Sequence, residues 1–269
     1  MLVNNDRTYV IAEIGINHMG SVDKAKRLID SAYMSGVDAV KFQTYITEKR
    51  VPKDNQEIFD IIKSCELPFE SFGDLQEHTK QYGIDFFSTP FDEESVDCLM
   101  DLNIKIHKVA SFDTVNHKLL KYISDKAETV IMSTGMSSMD EVKEACTILK
   151  NIDDIILLHC ISAYPTNTED ANLNVIHRLK KEFPSYTIGQ SDHTPDIDIP
   201  LYAVACGARV IEKHFKIDDS CVDAPVSIHS IKMIEMIKKI RLLEKILGNG
   251  EMGVTESQES TEIFRRFSK

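Results

Sequence analysis

Two tripeptides carry the sharpest chemistry in this sequence, SDH at 191–193 and EKH at 212–214, each closing a short apolar run. His193 and His214 stand 21 positions apart (214 − 193), one structural repeat, at matching ends of two runs. Neutral imidazole suits Mn, Fe, Co or Zn, so the pair is a candidate site for one divalent cation. The blander reading is two hydrogen-bonded structural histidines. Asp192, Glu212 and Asp223 are nearby carboxylates that either complete and orient such a site or form salt bridges. Lys41 and Lys108 sit inside apolar runs, where a lysine is rare unless paired. Each either snorkels outward or meets an anion at the open end of its run. Glu13, in AEIG, must be paired or have a raised pKa, which makes it a general acid/base candidate; an ion pair with Lys41 is compatible with that role. Ser88, Thr89, Ser111, Ser133, Thr134, Ser162 and Ser191 also close runs. Hydroxyls and backbone N–H groups there can hold phosphate oxygens, and their recurrence is the signal, since serine commonly ends strands. Together these residues describe a metal-assisted site for a phosphorylated or carboxylated small molecule.

Such a site needs elements that bring distant residues to one place. Eight short apolar runs alternate with helical patterns: YVIAEIG (9–15), VDAVKFQT (37–44), IDFFSTP (84–90), IKIHKVAS (104–111), ETVIMSTG (128–135), DIILLHCIS (154–162), SYTIGQSDH (185–193) and ARVIEKHF (208–215). Strict β/α order predicts an all-parallel sheet, and eight units predict an α/β fold of the (β/α)8 TIM-barrel type. In that fold the C-terminal strand ends meet at one face. An open doubly wound sheet ranks lower, because no GxGxxG follows the first run. Ser21 is expected to cap a helix over 22–35, and residues 45–53 read as a loop. Residues 54–82 read as helical with a break near Pro68, and 171–182 and 230–247 as later helices, the last ending at Gly248. The expected organisation is a barrel over 1–248 and a polar tail over 249–269.

The chain has 269 residues, close to the roughly 250 typical of one barrel. Its formal net charge of −12 argues against nucleic acid as a partner, since phosphate backbones are bound through Lys and Arg. A few lysines focused in a cleft still bind a small anion. The six cysteines form no CxxC pair and read as reduced thiols of a cytoplasmic protein. There is no secretory signal at the start and no apolar segment near the ~18 residues that a membrane span needs.

At these residues the chain resembles the sialic acid (N-acetylneuraminate) synthase family, which condenses phosphoenolpyruvate with an N-acylated amino sugar. The matching motifs are AEIGINHMG (12–20), DAVKFQT (38–44), FFSTPFDEESVD (86–97), KVAS (108–111), STGM (133–136), LLHCISAYP (157–165), GQSDHT (189–194) and GARVIEKHF (207–215), in order through about 200 residues. The resemblance implies a (β/α)8 barrel and a divalent metal, manganese or magnesium, on His193 and His214. It places phosphoenolpyruvate on Thr89, Lys108, Ser111, Ser133, Ser162 and Ser191. Glu13, Lys41 and Gln43 would line the reacting centre, with Tyr164, Glu212 and Asp223 towards the sugar. The implied product is a nonulosonic acid with release of phosphate by C–O cleavage.

The resemblance also implies a homodimer in which a small antifreeze-like domain, placed after the barrel, caps the partner's site with an arginine. The given sequence ends at ESTEIFRRFSK, so the expectation is a lid that is absent, comes from a separate polypeptide, or lies beyond the given sequence; Arg265 and Arg266 are not obvious replacements. The text after the eighth run, DSCVDAPVSIHS, departs from the family's PDH-like motif, so Asp223 is aligned without its neighbouring histidine. Both departures touch the sugar side. Two other readings compete. A Schiff-base pyruvate aldolase would use Lys108 as its nucleophile, and a partner-dependent barrel would bind an anion without catalysis.

Overall fold

The computed structural model describes residues 2–3, 7–52 and 54–266. Eight parallel strands close into a barrel in chain order: β1 (Tyr9–Gly15), β2 (Ala39–Thr44), β3 (Asp85–Pro90), β4 (Ile106–Val109), β5 (Thr129–Ser133), β6 (Asp154–Cys160), β7 (Thr187–Asp192) and β8 (Val210–His214), with β8 pairing back onto β1. The chain is therefore a (β/α)8 barrel. The helices are α1 (Val22–Met34), α2 (Thr47–Arg50), α3 (Gln56–Ser64), α4 (Glu70–Lys80), α5 (Glu93–Asp101), α6 (His117–Ser124), α7 (Met139–Ile148), α8 (Asn174–Glu182), α9 (Asp198–Ala205) and α10 (Ser230–Leu247).

The period-two alternation of strand side chains explains how one sequence builds two cores. Val10, Ala12 and Ile14 of β1 pack outward with Leu28 and Ile29 of α1, in the layer between barrel and helices. Tyr9 and Ile11 point the other way and join Ala39, Phe87, Ile131, Ile156, Leu158 and Val210 in a separate apolar cluster that fills the barrel's interior. Each such aliphatic side chain, fully buried, contributes roughly 1.5–3 kcal/mol. Gly189 is needed where the interior is tightest, because a Cβ there would lie 2.4 Å from the Val210 carbonyl oxygen. Five of the helices start on side-chain caps: Ser21 on α1, Asn55 on α3, Asp92 on α5, Asn116 on α6, and a Ser138–Glu141 capping box on α7.

Several boundaries differ from those expected. The segment 45–53, expected as a loop, contains the four-residue helix α2, while residue 53 lies outside the described residues. The 54–82 segment is two helices separated by residues 65–69. The fourth strand stops at Val109, and Ser111 opens a 3-10 turn. Within the expected tail, Glu256–Phe264 forms an exposed 3-10 segment and residues 267–269 lie outside the described residues. Among the described residues no helix is long and apolar enough to cross a membrane.

Candidate active site

The inward positions change character along each strand. Above the apolar floor they become Glu13, Lys41, Lys108, Ser133, Ser191 and Glu212, with Gln43, Thr89, His193 and His214 at or just beyond the strand ends. Register brings them together: Glu13 stands opposite Lys41 on one side and His214 on the other, Gln43 opposite Thr89, and Ser191 opposite Glu212. All of them, with Ser111, Tyr164 and Asp223, line one cavity of about 230 Å³ at the C-terminal face.

Lys41 organises the centre. Its Nζ lies 2.6 Å from Glu13 Oε2 and 3.7 Å from Glu212 Oε1, and donates to Thr89 Oγ1 at 3.0 Å. Gln43 Nε2 donates to the other Glu13 oxygen at 3.2 Å, and Ser191 Oγ donates to Glu212 Oε1 at 3.1 Å. Two buried carboxylates therefore share one ammonium, and their environments drive them apart. Burial pushes the Glu13 carboxyl upward, and the Glu212 charge adds to this against the opposing Lys41. Burial also acts on Glu212, but Lys41 and Lys108 together hold it below the ordinary carboxylate range. A proton in this pair belongs on Glu13.

Lys108 donates to Ser133 Oγ at 2.6 Å and to the Val109 carbonyl at 2.8 Å, and burial lowers its pKa. Beside it the backbone closes in: the Gly135 N–H donates to Ser111 Oγ at 3.1 Å. A Cβ on Gly135 would lie 2.5 Å from Ser162 Oγ and 2.7 Å from Ser111 Oγ. Ser162 is thus next to Ser111 but does not line the cavity; its hydroxyl is buried and has no hydrogen-bond partner. Two other hydroxyls are turned elsewhere: Ser88 bonds Thr44 at 2.7 Å, and Thr134 donates to the Leu158 carbonyl.

The histidine rings lie 5.2 Å apart, and Tyr164 packs 4.2 Å from that of His193. His193 Nδ1 is 2.8 Å from the Ile161 carbonyl, a contact in which it must donate, so its Nε2 is left as the lone-pair nitrogen. Burial, then the neighbouring His214, push the His193 pKa down to about 3, which keeps the ring neutral. His214 Nδ1 faces Asp223 Oδ2 at 3.3 Å. Burial opposes charge on His214, yet Asp223 and Glu13 lift its pKa above the ordinary value, so the surroundings favour positive charge there. The free Nε2 of His193 and the orientation of the His214 ring by Asp223 fit two imidazoles that would hold a divalent cation. Among the described residues no group of three or more His, Cys, Asp or Glu side chains is arranged as a metal cage. Asp192 does not join the histidines: it lies on the outward register, 2.5 Å from Lys213 Nζ and 2.8 Å from Thr194 Oγ1. That carboxylate forms a salt bridge between the adjacent strands β7 and β8, on their outward side.

Two polar residues, one lining the cavity and one supporting it, were not singled out in the sequence. Arg50 reaches the cavity from α2, where a loop was expected. Asn17, in the turn after β1, donates to the Phe215 carbonyl at 2.8 Å and to Ser227 Oγ at 2.9 Å, and accepts from the Asp223 N–H at 3.1 Å. It ties down the loop that carries Asp223. A buried amide in GINHMG was the available signal for it.

The NeuB family pattern matches residues 28–252. The chain belongs to the NeuB family. Over 272 residues this NeuB-family chain is 37% identical to the N,N'-diacetyllegionaminic acid synthase of Campylobacter jejuni, covering 94% of its own length and 81% of that protein. Over 256 residues it is 35% identical to the N-acetylneuraminate-9-phosphate synthase of Mus musculus, covering 90% of its own length and 71% of that protein. The solved structure of the N-acetylneuraminic acid (sialic acid) synthetase of Leptospira borgpetersenii, in complex with citrate, superposes with a TM-score of 0.93 at 36% identity, covering 97% of this chain and 92% of that one.

Proposed function

We propose that the chain condenses phosphoenolpyruvate with an open-chain, N-acylated amino sugar to give a nonulosonic acid and phosphate by C–O cleavage. The observation that carries this reading is the convergence, on strand ends of one barrel, of two lysines, two carboxylates with opposed pKa shifts and two histidines in a single cavity. NeuB-family membership supports the same reaction.

In this reading Lys41 and Lys108 supply charge to the two anionic ends of phosphoenolpyruvate. Thr89, Ser111, Ser133 and Ser191 donate to its oxygens, and the unpartnered Ser162 hydroxyl stands ready behind Ser111. A cation on His193 and His214, manganese or magnesium, would act as a Lewis acid on the acceptor carbonyl. C3 of phosphoenolpyruvate bonds to the aldehyde carbon of the acceptor, and the aldehyde oxygen takes the proton that Glu13 carries. Water adds at C2, and Glu13 recovers a proton from it. The tetrahedral carbon then expels phosphate with its bridging oxygen, and the departing phosphate takes the proton of the C2 hydroxyl, leaving a ketone at C2. Glu212 stays ionised and, with Lys41, fixes the centre electrostatically. Tyr164, Gln43 and Asp223 face the acceptor.

The test is phosphate release from phosphoenolpyruvate with Mn²⁺ across a panel of N-acylated aldoses. Sugar-dependent release is expected from the native chain and is lost in His214→Ala. No binding of phosphoenolpyruvate by calorimetry would sink the reading.

A further inference from the structure

The cavity at the strand ends is small. At about 230 Å³ it falls below the roughly 300–1,000 Å³ usual for small-molecule sites, although two substrates must meet there. It opens into a groove of about 920 Å³. Arg50, Ile62, Phe91 and Phe112 line both, so an acceptor whose carbonyl lies in the cavity extends past Arg50 into the groove.

Arg50 is held there as a rigid cation. Its guanidinium carbon lies 3.9 Å from the ring centre of Phe91 and 4.5 Å from that of Tyr45. The Tyr45 ring is fixed by its hydroxyl, which donates to the Ile62 carbonyl at 2.9 Å. The short helix beneath is pinned as well: the Ile46 N–H donates to Asp92 at 2.9 Å and the Thr47 N–H to Glu66 at 2.9 Å. The guanidinium itself is not satisfied. Its Nη1 is buried with no hydrogen-bond partner, and Asp113 and Asp223 act on it only through space, without an ion pair. A half-buried guanidinium with one buried nitrogen left unpartnered is costly, and a planar fork of donors matches carboxylate and phosphate.

We propose that Arg50 is the counter-charge for a carboxylate or phosphate carried by the acceptor at the end remote from its reacting carbonyl. The inference rests on the condensing reading of the site and deepens it by naming the acceptor class as an anionic sugar. Asp113 and Asp223 keep the surroundings from becoming broadly basic, so Arg50 selects one oxyanion at one place.

The experiment measures binding by calorimetry for three ligands: N-acetylmannosamine, its 6-phosphate and the corresponding uronate. Each is titrated into the native chain, Arg50→Met and Arg50→Lys, with thermal melts confirming that the variants fold. The native chain is expected to prefer an anionic ligand, the phosphate or the uronate arm naming which oxyanion it takes. In Arg50→Met that preference falls about 10–100-fold, as for loss of a charge-assisted hydrogen bond. Arg50→Lys retains part of it. An anionic-to-neutral ratio near one in the native chain, or a ratio unchanged in both variants, overturns the proposal. Phosphate release from phosphoenolpyruvate with a neutral acceptor tests the condensing reaction separately, because the binding ratio does not depend on turnover.

Discussion

The floor and the rim of this cavity are built by different means. The floor residues, among them Glu13, Lys41, Lys108, Ser191 and Glu212, sit on strands whose registers fix their neighbours. Every one is buried and bonded to another member of the site or to the adjoining backbone. The rim residues, Arg50, Phe112, Tyr164 and Asp223, come from a short helix, a 3-10 turn and two loops, and Phe112 and Tyr164 are largely exposed. In the proposed reaction the floor would handle the phosphoenolpyruvate chemistry, and the rim would meet the acceptor, where loops can vary without disturbing the barrel.

Changes in the floor should therefore remove chemistry, and changes in the rim should alter acceptor use. The largest effect is expected from the cation: dialysis against EDTA takes turnover to background, and Mn²⁺ or Mg²⁺ restores it. Full activity after chelation, with metal analysis showing none bound, would remove the histidine pair from the mechanism. Glu13→Gln comes next, with kcat lower by about 10²–10⁴-fold and phosphoenolpyruvate affinity retained. Equal losses in affinity would make Glu13 structural. Lys108→Met should weaken phosphoenolpyruvate binding by about 10–100-fold in calorimetry. The same Lys108 separates the condensing reading from an aldolase: borohydride with pyruvate should leave the protein mass unchanged.

On the rim, Asn17→Ala should raise the acceptor KM by about tenfold while the phosphoenolpyruvate KM moves little, because one freed loop carries Asp223. Parallel rises in both would join floor and rim into one unit. The smallest effect concerns the thiols. Burial pushes Cys146 up to about 12 and Cys98 and Cys221 up to about 11, so thiolate forms only as pH climbs far above neutrality. Iodoacetamide at pH 7 should label these three slowly in the folded chain and rapidly once urea unfolds it.

The same contrast explains what could be read in advance. The strands were legible because eight apolar runs alternate with helical patterns, and the floor residues because polar side chains end those runs. Period-two alternation would also have excluded Asp192: Ser191 and His193 share the inward face with Glu212 and His214, while Asp192 and Lys213 fall between them and point outward. Arg50 was not legible, since one arginine in a segment without periodicity carries no signal until Tyr45 and Phe91 are seen to clamp it. Asn17 works through partners about 200 positions away, which no local pattern reveals.

The most direct test of the condensing reaction follows one oxygen atom. Phosphoenolpyruvate labelled with ¹⁸O at the bridging C2 oxygen is turned over with an accepted sugar and Mn²⁺, and the phosphate and the keto acid are weighed by mass spectrometry. The account predicts label in inorganic phosphate, released only when sugar is present and in equal amount with the new acid. Label retained at the carbonyl of a pyruvate product, formed without sugar, would mean P–O cleavage and would contradict the assignment.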